Sequence, residues 1–128
     1  MKISVVIQGS PQTQCCTTAF EYTQAIIESG NEVSRIFFHQ DGVLAGNILN
    51  EAPGDEPRIG ELWSGLAEKH GLDMVLCSTS ALRRGILDKT EAKQKNTKSN
   101  LLPNFVLGGL GLLMDAIFES DRTITFGE

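Results

Sequence analysis

Residues 3–8 form an almost unbroken apolar run, Ile3-Ser4-Val5-Val6-Ile7-Gln8, closed by Gly9 and Pro11. A strand that lacks strict alternation turns apolar groups to both faces, so both faces have to be covered. That requirement points to a sheet held between helices, and the rest of the chain supplies them. Residues 17–28 carry Ala19, Phe20, Tyr22, Ala25, Ile26 and Ile27 as a helical stripe that stops at Gly30. Glu32–Phe38 reads as a second strand, residues 42–50 as a short helix, and residues 51–57 as a loop rich in Pro and Gly. Ile59–His70 sets Leu62, Trp63 and Leu66 on one side of a second long helix, ended by Gly71. Met74–Cys77 is a third strand, with a helix following from Ser80. Residues 88–100 are polar and expected to lie exposed. Residues 105–107, 110–118 and 123–126 read as strand, apolar helix and strand. Strands alternating with helices imply right-handed crossovers. The expected fold is α/β: one domain over residues 1–128, a mostly parallel open sheet of about five strands, and helices on both faces.

A chain of 128 residues buries a proper core without disulfide or metal staples. Its 11 basic and 16 acidic residues leave a net charge of −5, which argues against nucleic acid as a direct partner. No segment approaches the roughly 20 unbroken apolar residues of a bilayer span, so no membrane partner is expected. The start, Met1-Lys2-Ile3-Ser4-Val5, reads as a first strand and not as a secretory leader. Three cysteines, two of them adjacent, make a disulfide framework unlikely and a reducing cytoplasm the expected setting.

In open parallel sheets, chemistry gathers at the carboxyl ends of the strands. Three segments are expected to meet there: the loop after Gln8, residues 39–43, and the turn holding Cys77. The stretch Ser78-Thr79-Ser80-Ala81-Leu82-Arg83-Arg84-Gly85 reads as a capped helix start. A thiol at that junction lies near unpaired helix N–H groups and the positive end of the helix dipole, with two arginines following. Such surroundings favour thiolate over thiol. The competing reading is a small buried hydrophobe, and the local sequence does not separate the two. Ser78, Thr79, Arg83 and His39 are the candidates to support the thiol. His39 is a possible base, though a rim residue donating a hydrogen bond explains it as well.

Of the other features, Cys15 and Cys16 are read as one inward-packing residue and one incidental, with a resolving thiol for Cys77 as the sharper alternative. His70 is accounted for by dipole complementarity at a helix end. No metal site is expected, since the histidines and cysteines lack ligand spacing. Gly108-Gly109-Leu110-Gly111 is taken to mark tight packing of helix on sheet, because a phosphate loop would need the missing Lys and Ser/Thr. Lys89, Lys93, Lys95 and Lys98 form a solvated face or attract an acidic partner. The apolar stretch 105–118 needs a cover, either the domain core or another subunit.

Cys77 followed by Ala81-Leu82-Arg83-Arg84-Gly85, together with Phe37-Phe38-x-x-x-Gly42-Val43, resembles the DsrE/TusD sulfurtransferase family. The likeness runs nearly end to end, through Gly9-Ser10-Pro11, Ala19-Phe20, Leu110-Gly111 and Asp121-Arg122. The resemblance implies a sulfur relay subunit with Cys77 as its catalytic residue and no cofactor. Cys77 would take sulfane sulfur from a TusA-like donor as a persulfide and pass it to a TusE/DsrC-like acceptor. The implied assembly is a heterohexamer with TusC/DsrF-like and TusB/DsrH-like subunits, serving tRNA wobble-uridine thiolation or dissimilatory sulfur oxidation. The family pattern does not demand the Cys15-Cys16 pair. A non-catalytic scaffold subunit and a thiol–disulfide oxidoreductase are the competing readings.

Overall fold

Each of the five expected strands is present, and all pair in parallel. In a computed structural model, which describes residues 1–127, they are β1 (Lys2–Ile7), β2 (Glu32–Phe38), β3 (Met74–Cys77), β4 (Phe105–Gly108) and β5 (Arg122–Phe126). They lie in the order β4-β3-β2-β1-β5. The chain therefore steps in one direction from β1 to β4 and then returns to β1's far side. Right-handed crossovers put α1 (Gln14–Glu28) and α2 (Ile59–His70) on one face. The return crossing puts α5 (Leu110–Glu119) on the other.

Side-chain alternation along β1 agrees with this two-sided cover. Ile3, Val5 and Ile7 join a core cluster with Cys16, Ala19, Ile26 and Trp63 from α1 and α2. Ser4 points the opposite way, and its hydroxyl donates to the Ala116 carbonyl of α5 (3.1 Å). At the centre of the α1/α2 side, Trp63 stands edge-on to Phe20 (5.2 Å between centroids) and Phe38 (5.4 Å). Edge-to-face ring pairs of this kind add about 0.5–1.5 kcal/mol beyond the area they bury.

The α5 face is finished differently. Polar bonds hold the helix down: Ser4 near its carboxyl end, and Arg35 of β2, whose Nη1 donates to the Leu112 carbonyl (2.8 Å). The same guanidinium forks onto Asp73, with Nε and Nη2 both 2.7 Å from Oδ2. Outward, α5 is apolar: Leu110, Met114, Ile117 and Phe118 are exposed, Phe118 by 79%. Of the two covers expected for residues 105–118, the domain core supplies only part.

Helix boundaries differ from expectation where local chemistry overrides the apolar stripe. α1 begins at Gln14 because Cys16 packs into the core. The short helix expected over 42–50 is a 3-10 helix, Gln40–Gly46. Residues 88–100 are not featureless, since α3 (Ser78–Arg83) is followed by α4 (Lys89–Gln94). Asp88 caps α4 by accepting from the Glu91 N–H (2.9 Å), and Asp88-x-x-Glu91 is itself a helix-start signal. Among the described residues, no helix is long and apolar enough to cross a membrane.

Candidate active site

With all strands parallel, the loops that follow them line one edge of the sheet, and the three segments expected there do meet. The His39 N–H donates to the Ile7 carbonyl (2.8 Å), tying the end of β2 to the end of β1. The Gln40 N–H donates to Ser80 Oγ (3.2 Å), tying the same loop to α3. Arg84 completes the junction: its Nε donates to Asp41 Oδ1 (3.0 Å) and its Nη1 to the Ser80 carbonyl (3.1 Å). These bonds hold Gln40 at φ 53°, a left-handed conformation uncommon outside glycine. Gly42 sits so close to β1 that a Cβ there would fall 2.9 Å from the Ile7 carbonyl carbon, and nearer still to its oxygen.

Cys77 is the last residue of β3 and the cap of α3, and only 3% of it is exposed. Alternation along β3 sets it on the same side as Val75, the face that α5 covers. Its register partner in β4 is Gly108. A Cβ on Gly108 would fall 2.8 Å from Val75 Cγ1 and would also strike Leu112, so the bare glycine is what lets α5 start this close to β3. Carrying the β2–β3 register one residue past Phe38↔Leu76 sets the half-buried His39 on the other flank of Cys77. His39, Cys77 and Gly108 thus form a row across three strand ends, about 4.8 Å from one strand to the next. The ten-residue α5 starts on this face with no side-chain cap and no acidic residue in its first turn. Its cap, Gly109, is exposed and has open space around it.

Of the other expected site residues, Ser78 is half-buried at the first position of α3 and Thr79 beside it is exposed. Arg83 stands in α3's last turn, where its charge complements the carbonyl end of the helix. Gly108 was not among the expected site residues. The packing role expected of the glycine cluster belongs to Gly108 alone, because Gly109 and Gly111 have nothing within 4 Å. Finding its place beside Cys77 requires the β3–β4 register, which no local motif encodes.

All three cysteines are free. Cys16 is wholly buried, and burial pushes its thiol up from 9.0 to about 11. The Trp63 indole opposes this in part and Cys15 adds to it. By geometry the Trp63 N–H makes no hydrogen bond within the described residues, so burial dominates. Cys15 is half-buried against Gly9 in the turn after β1. His70 lies in the last turn of α2 beside Lys69, ahead of Gly71 at φ 64°. The described residues bring together no group of three or more His, Cys, Asp or Glu side chains able to hold a metal.

A five-stranded parallel α/β sheet with a cysteine closing its third strand defines the domain, and sequence relationships place it. The DsrE/DsrF-like family model matches residues 1–126, and the chain belongs to that family. It is 38% identical over 130 residues to the DsrE protein of Allochromatium vinosum, covering 100% of both chains. It is 40% identical over 115 residues to sulfurtransferase TusD of Serratia proteamaculans, covering 89% of each. A sulfurtransferase TusD homolog of Vibrio parahaemolyticus is 38% identical over 125 residues, 96% of this chain and 95% of that one. By these relationships the chain is a sulfurtransferase. In fold it also matches the ychN protein of E. coli, with a TM-score of 0.78 over 98% of this chain and 99% of that one, at 22% identity.

Proposed function

We propose that Cys77 carries sulfur as a persulfide within a relay. The observation that supports this most is its position: of the three cysteines, Cys77 alone ends a strand at the chemical edge of the sheet. In the first step the Cys77 thiolate attacks the outer sulfur of a donor persulfide. The donor's S–S bond breaks, its electron pair leaves on the donor's inner sulfur, and a new S–S bond forms on Cys77. In the second step an acceptor thiolate attacks the outer sulfur on Cys77 and releases the Cys77 thiolate. Neither step consumes an oxidant or a reductant. Cys77 caps the amino end of α3 on the face where α5 begins, with His39 one strand away, and in this reading those groups steady the anionic sulfur at each stage.

In this reading a TusA-like carrier donates and a TusE/DsrC-like protein accepts. TusC/DsrF-like and TusB/DsrH-like subunits complete a cytoplasmic heterohexamer, and the sulfur goes on to tRNA wobble-uridine thiolation or dissimilatory sulfur oxidation. The outward apolar side of α5 is the surface for those subunits, on the same side of the sheet as Cys77.

The test is intact-mass and peptide mass spectrometry after incubation with a sulfur donor. An adduct of about 32 Da, one sulfur atom, is expected on the Cys77 peptide and absent from Cys77→Ser. An adduct on Cys15 or Cys16 that survives in Cys77→Ser overturns the assignment.

A further inference from the structure

The free edge of β4 borders a groove, and we infer that this groove receives an extended acidic segment of a partner protein, which adds to the sheet as a further strand. Among the described residues β4 ends the sheet, pairing with β3 on one side and with no strand on the other. Alongside that open edge lies a cleft of about 540 Å³ whose walls include Lys89 and Thr90 of α4, Leu101, Asn104, Val106 and Leu107. Val106 is 51% exposed, so the strand offers a side-chain seat as well as a backbone edge. An edge of this kind, with neither a bulge nor a proline inside β4, is a template for a visiting strand.

Charge selects the visitor. The chain as a whole is acidic, at −5, yet α4 and the residues after it carry Lys89, Lys93, Lys95 and Lys98. Lys89 and Lys93 are four residues apart on α4, on the same face of the helix, and all four lysines are exposed. Asp88 and Glu91 lie among these lysines, and four basic against two acidic residues leave residues 88–98 with a local excess of two positive charges. A local positive rim beside a hydrogen-bonding edge fits an extended chain of acidic residues, whose alternate side chains meet Val106 and the lysines. The groove leads toward Gly108, the register partner of Cys77. A segment seated there therefore lies two strand spacings from Cys77, about 10 Å, and orients its parent protein toward the thiol.

The relevance to sulfur transfer rests on the Cys77 reading, but the binding itself does not, so the two fail separately. The experiment measures fluorescence anisotropy of a labelled peptide of about ten residues, alternating Glu and Val, titrated with the full chain. Saturable binding is expected that weakens with added salt, falls about tenfold or more in the Lys89→Glu/Lys93→Glu variant, and is unchanged in Cys77→Ser. The same peptide N-methylated at alternate amides leaves the protein untouched and is expected to lose at least about tenfold, because the ladder cannot form. Equal binding of the N-methylated peptide, or of a Lys–Val peptide, overturns the inference. So does absence of binding, or a dimer in sedimentation equilibrium that the acidic peptide fails to dissociate, since a second copy would then hold the edge.

Discussion

Replacing Gly42 with alanine should loosen the whole junction that holds Cys77. The added methyl would fall 2.9 Å from the Ile7 carbonyl carbon, closer than real Cβ atoms approach, and closer again to the oxygen. That oxygen already accepts the His39 N–H at 2.8 Å, so β1 cannot turn its carbonyl aside without breaking the bond. The 3-10 helix must retreat instead, by about 1 Å to reach ordinary contact. Overpacking costs about 1–3 kcal/mol and a lost hydrogen bond about 0.5–1.5 kcal/mol, so a destabilisation of about 2–4 kcal/mol is expected. Urea unfolding followed by the fluorescence of Trp63, the chain's one tryptophan and fully buried, gives the readout. With m near 2 kcal/mol/M the midpoint should fall by about 1–2 M at unchanged m. Gly65→Ala is the matched control: it lies inside α2 with open space around it and should gain about 0.5–1 kcal/mol. The retreat should also slow sulfur loading of Cys77 in folded Gly42→Ala. A midpoint within about 0.2 M of wild type would refute the close-packing argument, since it implies that the carbonyl yields freely.

Alkaline pH should destabilise the protein through Cys16. Its folded-state value of about 11 lies above the ordinary 9.0, so both states keep the proton below pH 9 and only the unfolded chain ionises between 9 and 11. Stability is therefore intact below that window and falls as pH rises through it, by up to about 3 kcal/mol. Urea midpoints measured from pH 8 to 11 should drop more steeply in wild type than in Cys16→Ala, and parallel curves would contradict this. On α5, Leu110→Ser/Phe118→Ser should shift the isolated chain's stability by no more than about 0.5 kcal/mol, since both side chains already face solvent. The same double variant should lose co-purification with the relay subunits proposed above; retention of that complex would remove α5 from the interface.

The strands and long helices were legible because each carries its own periodicity: β2, α2 and β3 run over the expected residues. α4 was hidden by its lysines, although Asp88 and Glu91 mark its start. The edge location of Cys77 was readable from the junction of apolar run and helix start. His39 was readable too, from its place at the end of the second strand, but Gly108 was not, because it reaches Cys77 through strand pairing, and register is a property of the assembled sheet. Nor could a single helical stripe tell that α5 covers its face alone, since that follows from the order of the strands.

The pairing of β5 with β1 joins the latest strand of the sheet to its earliest. During translation, Ile3, Val5 and Ile7 must wait with one backbone edge bare until residues 122–126 have left the ribosome. A message truncated ahead of those residues would yield a chain holding every segment around the thiol, yet with β1 left as an open edge for neighbouring copies. For a domain of this layout, sealing of the sheet waits on the last strand to emerge.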